Sequence, residues 1–185
     1  MSNSEEPFDL TPQQINHEIL FRGRYVQLAR TTASRPDGSL MQREVVLHPG
    51  AVAILPFLDD GRVCLVRNQR LAVGKTLIEI PAGTLEPGEV PEKTAIRELA
   101  EETGYRAEEW QKLSVFYPSP GTLSEATHLF VAKKLTAGPT DIQPDEDLES
   151  VIVEWSELLQ WVLEGTIQDA KTIVAVMLWK AQNGD

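Results

Sequence analysis

Glu98, Glu101 and Glu102 stand three and four positions apart, beside Arg97, in the run Arg97-Glu98-Leu99-Ala100-Glu101-Glu102-Thr103-Gly104. On an α-helix these spacings share a face, so the three carboxylates project together, and Ala95, Ile96, Leu99 and Ala100 are expected to form an opposite, apolar stripe. Like charges packed this closely repel unless cations sit among them, and an all-oxygen carboxylate set suits a hard divalent ion, Mg²⁺ or Mn²⁺. Glu98 and Glu102, one turn apart, are the first candidate ligands.

Such a helix needs a start, a stop and a sheet to lie on. Pro91 suits a first helical turn, where its missing N–H costs nothing, and Gly104 suits a left-handed C-terminal cap. Before it, Ala51 to Leu58 and Arg62 to Arg67 read as strands around the turn Asp59-Asp60-Gly61, Thr76 to Ile80 reads as a third, and Pro87-Gly88 turns the chain into the helix. After it, Leu113 to Tyr117, Thr127 to Lys133 and Ser150 to Trp155 read as strands. Ser156 to Leu163 and Asp169 to Ala181 read as helices capped by Ser156 and Asp169. The mixed order predicts an α/β fold, a sheet core flanked by helices. Further upstream, Tyr25 to Arg30 and Gln42 to Leu47 read as short strands, with a turn at Pro36-Asp37-Gly38. So small a sheet is marginal alone and must lie on the main domain or on a second subunit. The acidic stretch Asp141 to Glu149 reads as a solvated loop.

Composition narrows the class. At 185 residues the chain fits one domain, or one with a short appendage. A net charge of −11 disfavours nucleic acid and anionic membrane as partners, so an anionic substrate must be received by local arginines and metal. No run approaches the roughly 20 apolar residues of a membrane span, and Met1 to Glu6 lacks the basic and apolar parts of a secretion signal, which makes the expected location cytoplasmic. Cys64, the only cysteine, reads as a buried strand residue. His17, His48 and His128 are dispersed without metal-ligand spacing, which argues against a zinc site, and the four tryptophans read as packing residues.

The spacing of Gly83, five residues, Glu89, seven residues, then Arg97-Glu98-Leu99-Ala100-Glu101-Glu102-Thr103-Gly104 resembles the signature box of the Nudix hydrolases, with Tyr105 where an aliphatic residue is usual. The resemblance sharpens the fold to an α/β/α sandwich on a mixed sheet with a small N-terminal antiparallel β subdomain, divided at 1–48 and 49–185. It implies hydrolysis of a diphosphate linked to another group, with divalent ions as clamp, Lewis acid and water activator. Glu101 would then join Glu98 and Glu102 as a ligand, and the Ala82 carbonyl would supply a further oxygen. Gly83 would let the loop pass close to the metal. Arg97 would orient the carboxylates by bidentate hydrogen bonds. Glu89 reads equally as part of that network or as a stabiliser of the positive helix end.

Outside the box, Ser119-Pro120-Gly121-Thr122-Leu123-Ser124-Glu125 looks like a loop of ADP-ribose pyrophosphatases, which makes Glu125 the candidate base or water-positioning group. Leu65 to Arg70 and Leu77 to Gly83 are similar to segments that hold the diphosphate and terminal ribose in that subfamily. This implies a phosphate contact for Arg70 and a ribose or hydroxyl contact for Glu79, whereas Arg67 reads as an exposed strand-end cation. Leu20 to Tyr25 and Arg43 to Gly50 resemble the N-terminal subdomain exchanged between subunits, which implies a homodimer with Tyr25 stacking on adenine and Arg43 and Glu44 reaching the nucleotide. The expected activity is Mg²⁺-dependent cleavage of ADP-ribose to AMP and ribose 5-phosphate. The alternatives are another nucleoside diphosphate sugar, such as an ADP-sugar or GDP-mannose, and a noncatalytic nucleotide-binding module. The complete set of box carboxylates argues against the last.

Overall fold

The computed structural model describes residues 14–35, 37–139 and 148–184. Pro36 of the anticipated turn, and residues 141–147 of the acidic segment, lie outside them. Two compact units emerge. One takes in the described residues up to His48 together with Ser119–Ser124, and the other Pro49–Pro118 with Glu125 onward.

The first unit is an antiparallel sheet in which β2 (Gln27–Ser34) lies between β1 (Ile15–Arg22) and β3 (Leu40–Leu47). Ser119–Ser124 belongs with it through β3: Val46 N–H donates to the Thr122 carbonyl at 2.7 Å and Ser124 N–H to the Val46 carbonyl at 3.0 Å. Tyr25 is not in a strand as anticipated; it sits in the turn between β1 and β2, 57% exposed, with the Arg24 guanidinium 4.8 Å from its ring centroid. Phe21 and Leu40 are 64% and 68% exposed, so the sheet presents bare apolar surface.

The second unit contains two sheets. β4 (Ala51–Pro56) is central in the mixed order β7-β4-β9-β8, parallel to β9 (Thr127–Ala137) and antiparallel to β7 (Ala82–Thr84), while β8 (Tyr105–Phe116) closes the far edge against β9. β10 (Leu148–Val153), β5 (Val63–Arg70) and β6 (Lys75–Glu79) form an antiparallel sheet with β5 in the middle. Side chains alternate along a strand, and the core follows that period. Val52, Ile54, Phe130 and Ala132 pack with Ala95 and Leu99 of α1 (Pro91–Thr103). Ala53, Leu55, Leu129 and Val131 pack instead with Val63 and Leu65 of β5, Leu158 of α2 (Trp155–Leu163), and Ala175 and Val176 of α3 (Ala170–Asn183). The mixed sheet is thus covered on both faces, an α/β/α sandwich, and each fully buried side chain such as Ile54 or Phe130 contributes about 1.5–3 kcal/mol.

The anticipated helix faces need correcting. Glu98 and Glu102 are 8% and 4% exposed and share the buried side of α1 with Thr94, Ala95 and Leu99, whereas Ile96 is 50% exposed. The carboxylates flank the apolar stripe rather than oppose it, because positions i, i+3, i+4 and i+7 that include Ala95 and Leu99 also include Glu98 and Glu102. Gly104 does cap α1 in the left-handed conformation, φ 73°. Helix α2 is preceded by Glu154, with no side-chain cap from Ser156, while Asp169 caps α3 as expected. Cys64 is fully buried, and burial raises its thiol to about 12, so it is inert. The tryptophans pack: Trp155 and Trp179 lie 5.6 and 5.1 Å from Phe57, and Trp110 meets Phe130 edge-on.

Candidate active site

The site begins where β7 passes under α1. The Ala82 N–H donates to Glu102 Oε2 at 3.1 Å, and the next residue, Gly83, lies so near Glu98 that a methyl group there would overlap its carboxylate. Only glycine permits this backbone approach.

Arg97 gathers the acids around it. Its Nε and Nη2 donate to Glu89 Oε1 and Oε2 at 3.2 and 3.0 Å, and its Nη1 to Glu98 Oε1 at 2.8 Å and Glu101 Oε2 at 3.0 Å. A further bond from Nη2 reaches the Thr84 carbonyl at 3.4 Å and ties the helix to the end of β7. The bidentate pairing anticipated for Arg97 is therefore made to Glu89, which belongs to the network rather than only to the helix end. Charge-assisted bonds of this kind contribute about 1.5–3 kcal/mol each. The Glu89 hydrogen bonds first, then the Glu98 charge, push the guanidinium well above its ordinary value against the effect of burial.

In return, Arg97 holds the Glu89 carboxyl down to about 2, against an ordinary 4.5. A folded value below the unfolded one means that the stabilisation is complete above pH 4.5 and drains away as pH falls towards 2. Glu89→Gln should consequently flatten the fall of Tm across that window. Acid melts of the two proteins with equal slopes would contradict the pairing.

Among the described residues, no three His, Cys, Asp or Glu side chains close around a single point. The donor set nonetheless fits a hard divalent cation: Glu98, Glu101 and Glu102 offer only oxygen, one guanidinium leaves their charge uncompensated, and Gly83 keeps the approach free of a side chain.

Glu125 stands at the same end of β4. Ala51 pairs with Thr84 on one side and with Thr127 on the other, so the residues just before β9 and just after Gly83 flank one strand end. The Thr127 hydroxyl, itself fully buried, donates to Glu125 Oε1 at 2.8 Å.

Arg70 and Glu79, on paired β5 and β6, meet each other. Arg70 Nε donates to Glu79 Oε1 at 2.8 Å and Nη2 to Oε2 at 2.6 Å. Glu79 is 1% exposed and also accepts from Lys171 Nζ at 3.1 Å, so a direct sugar contact, as anticipated for it, would require leaving these cations. Arg70 keeps 40% of its side chain exposed; its charge is favoured by the Glu79 hydrogen bonds first and, beyond the opposing effect of burial, by the charges of Glu79, Glu102 and Asp169. Arg67 pairs only loosely with Glu149, at 3.8 Å.

Tyr25, Arg43 and Glu44 belong to the N-terminal unit. Arg43 Nη1 donates to the Gln42 carbonyl at 2.7 Å, and Glu44 lies 3.6 Å from Arg30. Sequence reading passed over Lys171. Its signal was available: a lysine in the first turn of a helix opposes the helix dipole and so calls for a carboxylate partner.

The NUDIX domain family matches residues 47–176. An ADP-ribose pyrophosphatase of Bacillus subtilis (strain 168) is 40% identical over 169 residues, covering 90% of this chain and 91% of that protein. A methanol dehydrogenase activator of Bacillus methanolicus is 39% identical over 170 residues, 91% of this chain and 92% of that one. A crystal structure of an ADP compounds hydrolase superposes with a TM-score of 0.77 at 23% identity, covering 91% of this chain and 94% of that one, and shares the fold. With Arg97, Glu98, Glu101 and Glu102 of the box assembled on one helix and a family match spanning most of its length, the chain belongs to the NUDIX domain family.

Proposed function

We propose that the protein is a Mg²⁺-dependent hydrolase of ADP-ribose that yields AMP and ribose 5-phosphate. The observation that supports this reading is the close passage of Ala82 and Gly83 against Glu102 and Glu98, beside the end of β4 that Thr127, two residues after Glu125, also flanks. The name of the Bacillus subtilis relative supports the choice of substrate.

Ala82, Glu98, Glu101 and Glu102 would hold Mg²⁺, or Mn²⁺ in its place. Bound there, the ion would neutralise charge on the diphosphate oxygens and acidify water. Arg97 keeps the carboxylates in position through four acceptors. Glu125, with Oε1 fixed by Thr127, orients the attacking water and takes its proton. Arg70 seats the diphosphate, and Glu79 acts on the substrate through Arg70. Tyr25 stacks on the base while Arg43 and Glu44 bind the nucleotide, in a homodimer whose formation covers the exposed Phe21 and Leu40. A cytoplasmic setting accords with a lone buried thiol and with the finding that no described helix is long and apolar enough to cross a membrane.

Turnover of ADP-ribose, ADP-sugars and GDP-mannose with Mg²⁺, side by side, tests the proposal. ADP-ribose is expected to give the highest kcat/KM, and Glu125→Gln to lower kcat about 10²–10⁴-fold with little change in KM. Preference for the guanine nucleotide would overturn the substrate, and an unchanged kcat in the variant would assign the water to another group.

A further inference from the structure

Helix α3 opens on Asp169-Ala170-Lys171-Thr172, and its first turn is bonded into the sheet at Glu79 and Ile80. Asp169 Oδ2 accepts from Thr172 N–H at 2.9 Å and from the Thr172 hydroxyl at 2.7 Å, while that hydroxyl oxygen accepts from Ile80 N–H at 2.9 Å. Asp169 Oδ1 accepts from Lys171 Nζ at 2.6 Å, and Lys171 Nζ donates onward to Glu79 Oε2. Asp169, Thr172 and Glu79 are 8%, 0% and 1% exposed, and the Lys171 side chain 17%.

Four alternating charges, Arg70, Glu79, Lys171 and Asp169, thus form one chain of ion pairs that sums to zero. Only Arg70 reaches well into solvent. A helix N-terminus repels a lysine, so Lys171 is placed against the local dipole, and the two carboxylates it bridges compensate. Glu79 holds the Nε/Nη2 edge of the Arg70 guanidinium, but without Lys171 it would draw Arg70 inward as its only cation, and Asp169 would leave the cluster with a net negative charge, which disfavours an incoming anion. Sharing Glu79 with Lys171 avoids both consequences.

We infer that Lys171, held at the start of α3 by an Asp169 that Thr172 fixes in turn, is a positioning residue that sets Arg70 through Glu79 to receive the diphosphate. This rests on the reading of Arg70 as a substrate contact given above. Lys171 touches no reacting atom; its effect is on how well the anion is seated.

The test pairs kinetics with a spectroscopic signature in the full-length protein. Lys171→Met is expected to raise KM for ADP-ribose about tenfold or more with a smaller change in kcat, and Lys171→Arg to recover most of the loss; the Arg70 Nε–H, bonded to Glu79 Oε1, is expected to give a slowly exchanging resonance in the wild-type protein that broadens or vanishes in Lys171→Met. In an Arg70→Met background, adding Lys171→Met should cost little more, because the two residues act as one unit. Lys171→Gln, which keeps a hydrogen-bond donor, serves if the methionine variant does not fold. KM within twofold of wild type in either variant, an unaltered Arg70 Nε–H signal, or a loss that persists undiminished in the Arg70→Met background would overturn the inference. Wild-type kcat/KM in Arg70→Met itself would instead strike the reading of Arg70 on which it rests, and the inference with it.

Discussion

Glu98→Gln and Glu102→Gln are each expected to lower kcat by more than about 100-fold while the protein stays folded. Mutating groups that merely support metal ligands typically costs ~10–100-fold, so loss of a ligand should exceed that range. Glutamine preserves the shape of each side chain in a tightly packed place: Glu98 and Glu102 sit beside Ala95 and Leu99, and an isosteric amide leaves that packing intact. What changes is charge. The Arg97 guanidinium keeps Glu89 and Glu101 as acceptors after Glu98→Gln, so the helix remains anchored to Thr84, while the cluster loses one of the carboxylates that outweigh its single cation. The check is kcat titrated against Mg²⁺ beside a thermal melt. A rightward shift of the Mg²⁺ dependence with a nearly constant Tm is the expected outcome, and wild-type turnover in both variants would remove them as ligands.

Gly83→Ala should damage activity by a different route, by about 10²-fold. The added methyl would coincide with the Glu98 carboxylate, and that side chain, 8% exposed and bonded to Arg97 at 2.8 Å, has little room to turn aside. Misplacement of a catalytic group by about 1 Å is enough for a loss of that size. The Gly83 φ angle lies outside the left-handed region, so the substitution tests close approach rather than backbone strain. Alanine should be tolerated by the fold, since β7 is a short strand paired only through Ala82, Gly83 and Thr84. Activity equal to wild type would show that Glu98 need not occupy this position.

The parts legible in advance were those whose signals are local. Pro91 and Gly104 marked the ends of α1, Asp169 marked the start of α3, and β4 and β5 announced themselves as apolar runs between turn residues. The elements missed were those whose pattern depends on neighbours. Most of β8 was overlooked because a register shift between Lys112 and Ser114 breaks the alternation that identifies a strand, and because its outer residues face solvent at a sheet edge. β1 escaped notice for a similar reason, being exposed at most of its positions.

At the site the same division holds. Spacing alone determined which carboxylates share a helix, a consequence of helical periodicity, while the role of Gly83 before them followed from the resemblance to the Nudix box. That Glu98 and Glu102 turn inward, that Glu89 rather than a glutamate of the helix takes the bidentate Nε/Nη2 edge of Arg97, and that Glu79 is withdrawn from solvent between Arg70 and Lys171 were decided by the tertiary structure. Partner choice for a charged side chain depends on what folding brings within about 3 Å from distant parts of the chain, and on how much water is left around it, neither of which residue order encodes by itself.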